Sequence, residues 1–184
     1  MVNMRPFTAF EQKNLKFLVN HNVKFTQVEI TPTGLGKGIL DSTAPMRAYF
    51  LENGIHNYEE QLQGQEHKQI KAACILTDTT QFFTKVSFYR PNTKKGDPRM
   101  WVYGFGSYTE GNDIHVLFWH EKTLYSINIT HIDIEKCYNS AIITPMQEVL
   151  KTINQEGNSV SEELLGRFRA VKDQWFESEV TADT

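Results

Sequence analysis

The run Tyr89-Arg90-Pro91-Asn92-Thr93-Lys94-Lys95-Gly96-Asp97-Pro98-Arg99, closed by Trp101, packs a mixed set of donors and acceptors into a short space. Arginine can meet guanine O6 and N7 with both arms, asparagine can meet adenine N6 and N7, and an aspartate can accept from cytosine N4. Arg90, Arg99, Asn92 and Asp97 are therefore candidates for reading bases, with Tyr89 and Thr93 on the same candidate surface. Lys94 and Lys95 suit phosphates, which position a protein on a duplex without reading sequence. Pro91 and Pro98 restrict the run and lower the entropy lost on binding. Asp97 has a second reading, as an ion-pair partner of Arg99 within the loop or a turn residue before proline. The whole run has a second reading too, as a solvated basic surface loop.

A second cluster is Thr33-Gly34-Leu35-Gly36-Lys37-Gly38. Glycines allow the backbone to approach a polyanion, and Lys37 adds charge, so Thr33, Gly34, Gly36 and Lys37 are candidate contacts. The spacing fits neither G-x-x-x-x-G-K-[ST] nor G-x-G-x-x-G, which argues against a nucleotide or dinucleotide site. The other reading is a mobile or tightly curved turn, since clustered glycine disfavours regular structure.

Asp41 with Glu66-His67-Lys68 imitates the D…(E/D)-x-K pattern of metal-dependent nucleases, where two carboxylates hold Mg²⁺ and the lysine assists water. Such enzymes want the aspartate at a strand end, whereas the sequence places Asp41 just before a helix. Two isolated cysteines do not make a zinc site, and His115 and His120, five apart on strand and turn, fall on opposite faces. No nucleophile-elbow motif is present. The residues thus predict neither a catalytic set nor a metal or other cofactor.

The elements that must position these residues follow from periodicity and punctuation. Residues 7–20 suit an amphipathic helix, and Val23–Ile30 alternates as a strand. Ser42, Thr43, Pro45 and Gly54 punctuate a helix over 44–53. The polar stretch 58–71 is ambiguous. From residue 72 the pattern is β: AACILTD, FFTKVSFYR, RMWVYGF, NDIHVLFW and TLYSINIT, the last two flanking a hairpin turn at His120–Lys122. TPMQEVLKTINQ reads as a helix, QEGNS (155–159) as a linker, and a further amphipathic helix follows from Ser161. Short connections imply a mainly β, mostly antiparallel fold with flanking helices, a barrel or pseudobarrel in preference to a sandwich.

The chain has 184 residues, 40% hydrophobic and 22% charged, which suits one globular domain and excludes a disordered or fibrous chain. Net charge is −3, yet Lys85, Arg90, Lys94, Lys95 and Arg99 face only Asp97 between residues 85 and 99. Such a strip in a mildly acidic protein is the footprint of phosphate contact. With two cysteines, no leader-like apolar start and no run of about 20 apolar residues, the expectation is a cytoplasmic protein with no membrane partner.

The two runs TPTGLGKGIL and YRPNTKKGDPRMW, separated by helix and strand, together resemble the DNA-recognition domain found beside MvaI-type and EcoRII-type restriction nuclease domains. The resemblance covers roughly residues 20–135, and the second run is the more distinctive. It implies a B3-like, seven-stranded open pseudobarrel over residues 1–154, a fold also used by plant transcription factors. It implies two arms gripping duplex DNA in the major groove, with Thr31–Gly38 in the first arm and Tyr89–Arg99 in the second. By the same resemblance, 155–184 is a linker and the start of a catalytic nuclease domain not contained in this chain. The activity implied is therefore binding of double-stranded DNA as a target-recognition or effector domain, not cleavage. The alternatives are the D…ExK nuclease and a protein-interaction module whose basic loop docks an acidic partner.

Overall fold

The structure is a computed structural model that describes residues 4–156. Helix α1 (Ala9–Asn20) opens with a capping box, in which Thr8 Oγ1 accepts from the Glu11 amide and the Glu11 carboxylate accepts from the Thr8 amide. Glu11 also accepts from Arg5 and from the Thr130 hydroxyl, so one buried carboxylate ties the start of α1 to the far side of the sheet. Asn14, one turn on, donates to the Ile129 and Ile132 carbonyls and accepts from the Ile134 amide, so its buried amide group is fully partnered.

Seven strands follow: β1 (Thr26–Ile30), β2 (Leu40–Asp41), β3 (Gln69–Leu76), β4 (Gln81–Tyr89), β5 (Arg99–Val102), β6 (Asp113–His120) and β7 (Thr123–Asn128). They form one sheet in the order β1-β6-β7-β3-β4-β5-β2. All neighbours are antiparallel except β3 and β7. The edge strands β1 and β2 are consecutive in the chain, joined by residues 31–39 through the six-residue helix α2 (Pro32–Lys37). Laid flat, seven strands would put the edges about 29 Å apart. A helix of that length advances about 9 Å, and the few flanking residues add about 10 Å. The sheet must therefore curl until its edges nearly meet, which makes it barrel-like and open along the β1–β2 seam.

The inner face carries Val28, Ile30, Leu40, Ala73, Ile75, Val86, Phe88, Met100, Val102, Leu117 and Leu124, plugged by Met46, Tyr49 and Phe50 of α3 (Ala44–Glu52) and by Phe105 of α4 (Phe105–Tyr108). Phe50 meets Phe88 edge-on at 5.1 Å, and His56 stacks on the same ring at 4.8 Å. On the outer face, Cys74, Leu76, Ile114, Val116, Phe118, Tyr125 and Ile127 are covered by α1, α5 (Ile134–Tyr138) and α6 (Pro145–Glu156). These helices roof the β6–β7–β3 half of the barrel.

The expected strands and the helices at 7–20, 44–53 and 144–155 are present with shifted ends. Three expectations differ. The glycine cluster is a helix, not a mobile loop: Thr31 caps it by accepting from the Gly34 amide, Pro32 occupies its first turn, and Gly38 ends it at φ 66°. Asp41 stands just ahead of α3, as expected, but it also ends a short strand, which the sequence pattern does not indicate. Ser42 does not cap α3, because its hydroxyl is bonded to Tyr58 Oη instead. Helix α6 runs past residue 154, and the predicted helix from Ser161 lies outside the described residues. No helix among the described residues is long and apolar enough to cross a membrane.

Candidate nucleic-acid interface

The outer face of β3, β4, β5 and β2 follows from the register. Tyr89 pairs with Arg99, Ser87 with Trp101, Arg99 with Asp41, and Ala72 with Lys85. Because Val86, Phe88, Met100 and Val102 point into the barrel, the alternation of strands turns Lys85, Ser87, Tyr89, Arg99 and Trp101 to the other side, where Lys85 is exposed, Arg99 and Trp101 are half-buried, and Ser87 and Tyr89 are buried. Tyr103 extends the β5 row, its amide donating to the Lys85 carbonyl. Two cations lie over rings here: Lys85 Nζ is 4.9 Å from the centre of Tyr103, and Lys68 Nζ is 5.6 Å from that of Tyr89. Burial pushes the Tyr89 phenol above its ordinary pKa and the nearby Arg99 opposes that shift.

Both predicted arms attach to this face. The β2–β5 ladder is antiparallel and two residues long, so the chain before Leu40 lies beside the chain after Met100, and Ser42 lies beside Pro98. The first arm therefore meets the face at Trp101, whose indole ring comes within 3.7–4.0 Å of where a side chain on Gly38 would begin. The second arm leaves at Tyr89 and returns at Arg99, at the opposite end of the ladder. The two bracket the face.

On the first arm, Thr33, Gly36 and Lys37 are exposed and Gly34 is buried. A side chain on Gly34 would sit 2.8 Å from Leu40 Cδ2 and 2.9 Å from the Ile39 carbonyl. That glycine is required for the helix to fold back onto its own strand, and it presents no surface. Gly36 has open space around it.

On the second arm, Asn92, Thr93, Lys95 and Asp97 are exposed, and Lys94 opens a tight 3-10 turn through Gly96. Lys95 and Gly96 both adopt left-handed backbone, φ 59° and 68°. The arm is pinned at both ends. The Arg90 guanidinium turns inward: Nε donates to the Gly96 carbonyl at 2.8 Å, and Nη1 to the carbonyls of Gln61 at 3.1 Å and Tyr58 at 3.4 Å. Its own carbonyl accepts from the Gly64 amide at 2.7 Å. Arg90 thus braces the arm, with Nε and Nη1 spent on backbone oxygens. At the other end Tyr58 Oη donates to the Arg99 carbonyl at 2.7 Å. The Ser42 amide donates to the Pro98 carbonyl at 3.0 Å. Arg99 pairs across the ladder with Asp41 at 2.5 Å, not with Asp97 as the loop reading allowed.

Residues 58–67, ambiguous in sequence, are the seat of the second arm. Gln61 donates to the Phe88 and His67 carbonyls, and Gln63 lies where a side chain on Gly96 would collide with it. The sequence counts Lys85 only within the basic strip and Lys68 only within the nuclease-like pattern, and it does not place either of them, or Tyr103, on this surface. Their signal was the alternation Lys85-Ser87-Tyr89 and Arg99-Trp101-Tyr103, which becomes a surface only once the uncovered face is known. Of the residues in the nuclease-like pattern, Asp41 is paired with Arg99, and Glu66 lies beside His67 at 3.8 Å. His115 and His120 are both buried, as satisfied core histidines. His115 sits between Thr109 and Ser126 at 2.8 and 2.7 Å.

Comparison with protein-family models, curated proteins and solved structures returned no match.

Proposed function

We propose that the chain is a B3-like domain that binds double-stranded DNA sequence-specifically. The two arms enter the major groove and the bare sheet face lies against the backbone. In this reading it serves as the target-recognition or effector domain of a type II restriction endonuclease, partnered by a catalytic nuclease domain, and does not itself cleave. The observation that carries it is the bracketed face: helices cover the β6–β7–β3 half of the barrel, while the other half presents Lys68 and Lys85 over tyrosine rings and is flanked by two anchored projections.

Roles follow from side-chain chemistry, together with the exposure of Lys37, Lys85, Asn92, Lys95 and Asp97. Asn92, Asp97 and Arg99 are the base readers. Lys37, Lys68, Lys85, Lys94 and Lys95 contact phosphates, and Thr33 and Thr93 add hydroxyl donors. Arg90 and Gly34 hold the arms in shape. An arm fixed before binding loses less entropy on docking.

The test is selection from a pool of random duplexes, followed by a salt titration of the selected site by fluorescence anisotropy. The expected result is an enriched sequence and a linear fall of log K with log salt. Lys85→Ala should weaken selected and random duplexes equally and reduce the slope by about one. Absence of any binding at low salt, with an acidic polypeptide bound instead, would favour the protein-docking alternative.

A further inference from the structure

On the seam side of the barrel, Glu110, Asp113 and His131 each offer one ligand atom, all three atoms lying within 4.8 Å of one another. We propose that they form a binding site for one divalent transition cation of the zinc type, independent of the DNA-binding reading.

The three ligand atoms are close enough together to share one ion. His131 Nε2 lies 3.0 Å from Asp113 Oδ1 and 3.8 Å from Glu110 Oε2. Ligands on a tetrahedral zinc with bonds of 2.0–2.1 Å stand about 3.3 Å apart, so the two spacings straddle the required edge. Asp113 is held for the task from behind. Its Oδ2 accepts from the Glu110 amide at 2.8 Å and from Asn128 Nδ2 at 2.9 Å, leaving Oδ1 directed at His131. Such outer partners fix the orientation of a metal-bound carboxylate. Glu110 is 84% exposed and His131 53%, so a fourth position opens to solvent.

Arg5, a cation near the cluster, is neutralised. Arg5 donates to the Asn112 carbonyl beside Asp113, but its guanidinium forms a two-armed pair with Glu11 at 2.8 and 2.5 Å. Glu29, accepting from the Arg5 amide, adds further negative charge. A donor set of one imidazole and two carboxylates suits zinc-like ions, whereas Mg²⁺ prefers an all-oxygen octahedron and retains its waters.

The site also lies at the root of the first arm. Gly111, between Glu110 and Asn112, packs so close to Pro32 that a side chain would come within 3.0 Å of its ring, and the Asn112 amide donates to the Ile30 carbonyl. A bound cation would tie the β6 entrance to the end of β7 where α2 begins.

Isothermal titration of the EDTA-treated, untagged full chain with ZnCl₂ tests this. The expected result is one Zn²⁺ per chain, not displaced by excess Mg²⁺, and a tetrahedral visible spectrum with Co²⁺. His131→Gln should abolish it, and Glu110→Gln, at an exposed side chain whose change leaves the fold intact, should weaken it about tenfold or more. No binding by the wild-type chain, or equal binding by wild type and both variants, would overturn the proposal and leave a plain His–Asp hydrogen bond.

Discussion

Asp41 and Arg99 face each other across the two-residue ladder that joins β2 to β5, with the Arg99 Nη1 atom 2.5 Å from the Asp41 carboxylate. Asp41 is largely in water and Arg99 only partly. An exposed pair of this kind contributes about 0–1 kcal/mol. A two-armed arginine–guanine contact discriminates by about 1–3 kcal/mol. On the proposed DNA-binding reading, a duplex can therefore outcompete this pair for Arg99.

Arg99→Ala is accordingly expected to lower affinity for the selected duplex by about 1–3 kcal/mol and relax choice at one base pair. Asp41→Asn, which frees Arg99 and removes a repulsive charge, should tighten binding to every duplex by about fivefold or less. Anisotropy on matched and single-mismatch duplexes measures both. Unchanged selectivity in Arg99→Ala would remove that residue from the site.

Arg90 behaves differently because it braces. Arg90→Ala strips hydrogen bonds from three carbonyls, and hydrogen bonds to a charged group are worth about 1.5–3 kcal/mol each in favourable cases. The expected outcome is a loss of about 2–3 kcal/mol in urea unfolding at unchanged m. Cognate and random duplexes should then bind equally less well. Full stability with relaxed selectivity would return Arg90 to the base readers.

The two glycines of the first arm separate shape from surface. Gly34→Ala drives a methyl against Leu40 and the Ile39 carbonyl. It should cost about 1–3 kcal/mol, the usual range for overpacking. Gly36→Ala meets nothing within 4 Å and replaces glycine inside a helix. It should be neutral or stabilise by up to about 1 kcal/mol. Thermal unfolding of the two variants side by side decides the matter, and an equal effect would contradict the packing described.

Glu11 sets an acid limit. Burial pushes its carboxyl pKa up, but hydrogen bonds from Arg5, Thr130 and the Thr8 amide outweigh burial and hold it below the usual value. A carboxyl depressed in the fold binds its proton more readily when unfolded. Its contribution is therefore complete above the unfolded value of about 4.5 and is lost as pH falls through the folded value. Glu11→Gln should cost about 2–3 kcal/mol at neutral pH, because Arg5 loses its partner. It should also flatten the acid limb of a plot of stability against pH. An unchanged acid limb would show that another group controls it.

The sequence by itself determined the longer strands and the principal helices, because apolar alternation, caps and turn residues act over a few neighbours. It missed the two-residue β2 and the helix in the glycine cluster, which depend on the β5 partner and the Thr31 cap. It did mark the basic run from Lys85 to Arg99. Tyr89 through Arg99 reads as a reactive surface from composition alone, yet Arg90 and Arg99 look alike there. Only the tertiary structure separated them, since the acceptors that draw Arg90 inward are Gln61 and Tyr58 carbonyls about thirty residues away in the chain. The same holds for Lys68 and Lys85, which share a face only after β3, β4 and β5 pair, and for Asp113 and His131, which meet only after β6 registers against β7. Local pattern specifies which way a side chain leaves its own strand. What it then meets depends on strand order and on which face the helices leave bare, and those are settled by packing between distant segments.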